Sequence, residues 1–314
     1  MMTDDSIHVA FAADIGYYQH VCVTLVSMLE NNRDRRFHVH VLTNRSSDEA
    51  EAPLRSLENQ YDNFKLDFLE VDDSQFSGLQ LTIDYISIQT YYRYVLARLF
   101  PDLDKVLYLD CDLVVRGSLK ELWAEDLNGY YAAGVADWYI NKRHLLMKSL
   151  GFQGRNDYVN GGVLLFNLKA IRENNIIDEF FSCQQTHRKI LRFQDQDVIN
   201  MVLKDRIKLL SPRFNWIADK RPDGFDPIIV HYVGKVKPWT LHHRSRNVYK
   251  GEYFNYLLRT PYRHFHRHYH HYWYRMVRWC SVLCDCIFSA KANETAFRVR
   301  VFGIRVYKKT KETL

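Results

Sequence analysis

The sequence predicts an α/β fold built on a largely parallel sheet, and two observations carry that expectation. Through residue 71, runs of strand length alternate with stretches of helical spacing. Several of the strand-like runs end at polar residues that can carry chemistry, as ligand sites do at the carboxyl ends of strands. With 314 residues and 47% hydrophobic content, the chain can bury a large core.

The elements follow in order. Residues 7–13 (IHVAFAA) read as a buried strand ending at Asp14, and Val21, Leu25, Met28 and Leu29 then repeat at helical spacing. Residues 37–43 (FHVHVLT) alternate as a second strand. Ser47 opens a helix that turns Leu54 and Leu57 inward, and residues 64–71 form a third strand. A Tyr-rich helix is expected over 87–99, closed by Pro101. Strands are expected at 105–110, 131–137, 162–167 and 228–232, with a helix over 195–203. The body ends near residue 255.

Asp110-Cys111-Asp112 follows the apolar run VLYL directly. Residues two apart on extended backbone project to one side, so the two carboxylates converge where the strand leaves the sheet. Two hard oxygen donors there suit Mn²⁺ or Mg²⁺, although the same pattern also serves as a helix cap or surface turn. Downstream, His231-Tyr232-Val233-Gly234-Lys235-Val236-Lys237-Pro238-Trp239 joins an imidazole, a glycine and lysines after a short apolar strand. That combination points to a phosphate site.

Five segments, FAADIGYY, ISIQTYYRY, VLYLDCDLVV, YVNGGVLLFNL and FQDQDVIN, closed by HYVGKVKPW, lie in order over residues 7–239. Together they resemble glycosyltransferase family eight, the retaining enzymes of GT-A fold that include bacterial lipooligosaccharide galactosyltransferases. The resemblance implies a Rossmann-like mixed sheet flanked by helices. It implies Mn²⁺, with Mg²⁺ the alternative, held by Asp110, Asp112 and His231 against a UDP-sugar. Ala12, Ala13, Asp14 and Tyr17 would surround the uridine, and Gly234 and Lys237 would meet the phosphates. Where relatives often carry an acid and an asparagine, this chain has Ile15 and Gly16, so Gly16 offers the ribose backbone only. The implied sugar-binding set is Arg93, Asp137, Asn160, Gly161, Gly162, Asp195 and Gln196, with Gly161 and Gly162 keeping bulk from the ring. Gln196 and Asp195 are the implied catalytic pair. An amide is a poor nucleophile, which favours attack on the face the phosphate leaves.

Charge is uneven. Residues 261–314 carry 11 Lys/Arg against 3 acids, while the chain as a whole has a net charge of +6. From Tyr262 to Phe288 apolar residues recur at helical spacing between Arg263, Arg267, Arg275 and Arg278, as in a helix lying on anionic lipid or docking on the body. Residues 297–309 read as a hairpin around Phe302-Gly303. No nucleic-acid motif accompanies the charge. Six scattered Cys, a polar and acidic start and the lack of a long apolar run point to a cytoplasmic protein, peripheral on the inner face of a membrane. The expected division is a catalytic domain over 1–255 and a basic aromatic extension over 256–314. The expected reaction is hexose transfer, galactose or glucose, from UDP to a lipopolysaccharide-type glycan. The rivals are a protein or soluble glycan acceptor, and a silent nucleotide-sugar-binding protein.

Overall fold

A computed structural model describes residues 6–79, 81, 87–152, 158–219, 221–240 and 248–266, and the backbone of Phe288–Ala292, Ala296–Val301 and Ile304–Thr310. The main sheet contains β1 (Ile7–Ala12), β2 (Phe37–Thr43), β3 (Phe64–Glu70), β4 (Lys105–Leu109), β6 (Ala132–Ala136), β7 (Val159–Asn167) and β8 (Ile207–Leu209), in the order β3-β2-β1-β4-β7-β6-β8. Strands β1 to β4 pair in parallel, whereas β7 runs antiparallel to both β4 and β6. The sheet is therefore mixed. A second small sheet joins β5 (Leu113–Val115), β10 (Ile229–His231) and β9 (Trp216–Ile217) in the order β5-β10-β9.

The helix Tyr18–Glu30 shows why two sheets are needed. Val21, Leu25, Met28 and Leu29 are fully buried against the main sheet, each contributing roughly 1.5–3 kcal/mol. Val23 is equally buried, but in a second cluster with Val114, Val230 and Tyr253. Every residue from Tyr18 to Leu29 except Gln19 is buried, because the small sheet and the helix Lys250–Leu257 cover the far face of the helix. Thr24 donates to the carbonyls of Cys111 and Leu113 at 3.1 and 2.8 Å, which pins the Asp110–Asp112 turn to this helix.

Two expectations change. Residues 87–99 are not one helix: a 3₁₀ segment, Ile88–Tyr94, breaks at Val95 before a short helix, Leu96–Leu99. Tyr91, Tyr92, Arg93 and Tyr94 are all buried, so the segment has no solvent face for helical periodicity to mark. Residue 255, the expected end of the body, lies inside Lys250–Leu257, and packing continues to Tyr262 and Phe265.

In the extension, β11 (Phe288–Ala292), β12 (Ala296–Val301) and β13 (Ile304–Thr310) form an antiparallel sheet, with Val301 paired to Ile304 as the hairpin reading requires. Most of the helical stripe expected over 262–288 lies outside the described residues. Among the described residues, no helix is long and apolar enough to cross a membrane.

Candidate active site

The carboxyl ends of β1 and β4, the start of β7 and the segment after β10 surround a cleft of about 750 Å³. Ala12, Ala13, Asp14, Tyr17, Arg93, Asp110, Asp112, Asp137, Asn160, Asp195, Gln196, His231, Gly234 and Lys237 all line it. Gly16, Gly161 and Gly162 do not.

Asp110, Asp112 and His231 meet at its floor, with one ligand atom from each within 4.8 Å of the others. His231 Nε2 lies 3.2 Å from Asp112 Oδ1 and 3.6 Å from Asp110 Oδ2. The orientation of the imidazole follows from its neighbours. The backbone N–H of Gly162 donates to Asn160 Oδ1 at 3.0 Å, so that oxygen also receives the Asn215 amide NH₂ at 2.9 Å. Asn215 Oδ1 then faces His231 Nδ1 at 2.9 Å and accepts its proton. In the neutral imidazole, the Nε2 lone pair points at two carboxylates. Three acceptors converging on one point suit a cation, and neighbouring donors of an octahedral Mg²⁺-like ion lie about 3 Å apart. These residues can hold a divalent metal.

The surrounding charge supports the trio. Asp112 is buried, which by itself raises its carboxyl, but the Lys237 ammonium, joined by His231 when its ring is protonated, outweighs burial and holds it well below the usual carboxylate range. Lys237 Nζ donates to Asp112 Oδ2 and, at 2.8 Å, to the Tyr232 carbonyl. Arg93 donates to Asp110 Oδ1 at 3.1 Å, to the Gly161 carbonyl at 2.7 Å and to the Tyr108 hydroxyl at 3.1 Å, and lies 3.0 Å from Asp195 Oδ2.

The glycines act through the protein before any ligand. A Cβ on Gly162 would stand 2.1 Å from His231 Cε1 and 2.8 Å from Asp110 Oδ2, and one on Gly161 would stand 2.5 Å from an Arg93 guanidinium nitrogen. Both lie inside β7, where strand pairing brings Gly162 O to Asp110 N at 2.8 Å. Gly234 has φ +86, backbone that favours glycine.

Opposite the trio, the first turn of the helix Asp195–Val202 presents Asp195 and Gln196. Gln194, before it, has φ 51. Asp197 accepts from the N–H groups of Arg192 and Phe193 and from the Tyr158 hydroxyl, folding the preceding loop back. Asn200 bonds Val159 through both its amide groups and ties the helix to β7. Gln196 Oε1 accepts the Gly161 N–H at 2.8 Å, while its amide nitrogen reaches Tyr158 Oη at 3.2 Å. Asp137 caps the helix Trp138–Asn141 through Oδ1 and accepts from Asn160 through Oδ2 at 3.1 Å. Burial pushes the Asp195 carboxyl up to about 6, against the pull of Arg93.

The family model for glycosyl transferase family 8 matches residues 8–242. The chain belongs to that family. It is a glycosyltransferase, and its fold is of the GT-A type. The lipopolysaccharide 1,2-glucosyltransferase of Escherichia coli is 26% identical over 91% of this chain and 90% of its own length. The lipopolysaccharide 1,3-galactosyltransferase of Salmonella typhimurium is 27% identical over 75% and 73%. The solved galactosyltransferase LgtC, in complex with donor and acceptor sugar analogs, superposes with a TM-score of 0.73 at 28% identity, covering 81% of this chain and 96% of that one. The family assignment agrees with the ordered motifs of the sequence. Asn215 lies outside those motifs, and Thr90 and Tyr158 lie inside them with roles only folding reveals: Thr90 donates to Asp195 Oδ1 at 2.7 Å and Tyr158 to Asp197 Oδ1 at 2.6 Å.

Proposed function

We propose that this glycosyltransferase moves a hexose, galactose or glucose, from its UDP form to a lipopolysaccharide- or lipooligosaccharide-type glycan, with retention at the anomeric carbon. The observation that carries the reading is the convergence of Asp110, Asp112 and the His231 Nε2 lone pair beside Lys237, on the floor of one cleft. The named activities of the relatives support the hexose and the acceptor class.

Asp110, Asp112 and His231 would hold Mn²⁺, or Mg²⁺ in its place, the imidazole favouring Mn²⁺. When bound, the ion supplies positive charge to the diphosphate as the sugar departs. Lys237 sits where it can leave Asp112 for a phosphate oxygen, and Gly234 gives the phosphates close backbone approach. Tyr17, 37% exposed, is free to lie against the uracil. Asp14 spends Oδ1 on the Tyr17 N–H, leaving Oδ2 for the base imide. Ala12, Ala13 and Gly16 contribute backbone.

Arg93, Asp137, Asn160, Gly161, Gly162 and Asp195 form the sugar wall. Gln196 stands beside the anomeric centre with Oε1 already committed to the Gly161 N–H, which suits shielding an oxocarbenium-like centre better than attacking it. The acceptor oxygen then bonds to the anomeric carbon on the face from which UDP leaves. The sugar–phosphate bond breaks, and the acceptor's proton passes to the departing phosphate oxygen. Asp195 balances charge through Arg93.

The extension supports an anionic membrane surface, and with it a place on the cytoplasmic face. Strand register sets Arg298 opposite both Lys291 and Lys308, and Arg300 opposite Arg305. A segment this basic is drawn to an anionic leaflet. The deciding experiment screens UDP-sugars for hydrolysis and transfer, with NMR of the first-formed product. UDP-galactose or UDP-glucose should react with the α configuration kept. An inverted product, or turnover with neither donor, would end the reading.

A further inference from the structure

At the other end of the parallel strands from the cleft, three histidines gather on one face of the main sheet. His8 is the second residue of β1 and pairs in register with His38, the second residue of β2. His40 lies two residues further along β2, on the same face, and pairs with Asp67 of β3. Val39 and Val41 point the other way into the core, so the alternating FHVHVLT pattern places both imidazoles together. None of the four polar residues lines the donor cleft.

One ring nitrogen from each histidine lies within 4.8 Å of the others. His8 Nδ1 and His40 Nε2 are 3.2 Å apart, and two ligands of a tetrahedral Zn²⁺ with imidazole bonds are separated by about 3.3 Å. The rings are packed closely: His38 and His40 have centroids 4.3 Å apart, and His8 and His40 are nearly parallel at 6°. Phe100 closes one side at 4.6 Å from the His40 ring. The other side is open, since the His38 and Asp67 side chains are 24% and 57% exposed, which leaves an entry path. His38 Nε2 donates to Asp67 Oδ2 at 2.5 Å. A carboxylate holding one imidazole nitrogen fixes the tautomer and makes the ring a better ligand through the other.

We propose that His8, His38 and His40 form a second metal site, selective for Zn²⁺ or a similar borderline ion, with Asp67 orienting His38. Its donor set differs from that of the cleft. Three imidazoles suit Zn²⁺, whereas carboxylates suit Mn²⁺ and Mg²⁺. Its ligands come from two neighbouring strands and its orienting carboxylate from a third, so a bound ion stitches β1 to β2 and stiffens the half of the sheet that carries Asp14 and Tyr17.

The test uses the full chain, stripped by chelator and then titrated with Zn²⁺, and with Co²⁺ as a spectroscopic substitute. Because the sequence carries further histidines at 264, 266, 268, 270 and 271, a parallel protein has those five replaced by Asn. That protein and its Asp112→Asn derivative should each bind one equivalent of Zn²⁺ that Mn²⁺ does not displace, and should show the intense visible absorption of tetrahedral Co²⁺. His8→Asn and His38→Asn, at partly exposed positions, should lose that equivalent and the absorption while keeping the circular dichroism of the parent. Asp67→Asn should keep the site at roughly tenfold lower affinity. An undiminished equivalent in His8→Asn and His38→Asn would overturn the proposal, as would its loss from the protein lacking the tail histidines. Loss in Asp112→Asn alone would assign the ion to the cleft and overturn it equally.

Discussion

The two walls of the cleft are built differently. The wall after β1, from Ala12 to Tyr17, is a short 3₁₀ turn capped by Asp14, with Tyr17 partly exposed and few side-chain bonds behind it. The wall formed by Arg93, Asp137, Asn160, Asp195 and the half-buried Gln196 is cross-bonded, and through Asn160 and Asn215 it continues into His231. A network of that kind holds groups at fixed positions before a ligand arrives, which is what stabilising a developing charge requires. A sparse, exposed wall can adapt to a planar ring at little cost. Changes in the buried wall should therefore strike the rate, and changes in the exposed wall should strike donor affinity.

The harshest way to break this contrast is Gly162→Ala. The added methyl would press on both His231 and Asp110, and neither β7 nor β4 can move away without breaking strand pairing. We expect kcat to fall at least a hundredfold, about 3 kcal/mol, with the melting temperature lowered as well by over-packing of β7. Steady-state kinetics beside a thermal melt would check it; wild-type kcat would mean that His231 is not held where the account needs it.

Lys237→Ala comes next. Its charge counts most as phosphate departs, so kcat should drop roughly ten- to a hundredfold, with a smaller change in KM. A change confined to KM would make Lys237 a ground-state contact only.

The third expectation concerns pH. Asp195 has its carboxyl raised to about 6 by burial, whereas Asp112 stays ionised because the Lys237 ammonium lowers it. As pH falls through about 6, Asp195 should take up a proton, weaken its hold on Arg93 and lower kcat. The folded state binds that proton more readily than the unfolded chain, so Asp195 costs stability above about pH 6 and the cost disappears as pH falls toward 4. A pH–rate profile for wild type and Asp195→Asn sharpens the contrast: the limb near 6 should vanish in the variant.

The smallest effect belongs to the exposed wall. Tyr17→Ala loses one aromatic contact, roughly 1 kcal/mol, so the Kd for UDP should rise about fivefold with kcat at saturating donor nearly unchanged. Isothermal titration with UDP would measure it, and a large loss of kcat would erase the distinction between the walls.

The sequence disclosed the regular parts well. Strands β1 to β4, the helix Tyr18–Glu30 and the pairing of Asp110 with Asp112 all lie in runs whose period or order is visible along the chain. The three-residue strands β5 and β8 are too short to carry a period, whereas the equally short β10 is marked by the apolar run leading into His231. Asn160-Gly161 reads equally well as a turn, and only its place between β4 and β6 makes it strand. The tautomer of His231 depends on Asn215, sixteen residues away and joined to it only through the second sheet. FQDQDVIN was legible as a motif, but Asp197 and Asn200 turn out to brace the loop and β7 while Asp195 and Gln196 face the cleft. Pattern marks which residues matter; partition of their labour needs the fold.

The central claim is that Asp110, Asp112 and His231 bind one hard divalent ion together with the donor's diphosphate. Electron paramagnetic resonance of free Mn²⁺, titrated with wild type and Asp112→Asn in the presence and absence of UDP, tests it directly. Wild type should hold one Mn²⁺ tightly when UDP is present and more weakly without it, and Asp112→Asn should lose that ion with the fold intact. Equal Mn²⁺ binding by both proteins, or binding indifferent to UDP, would contradict it.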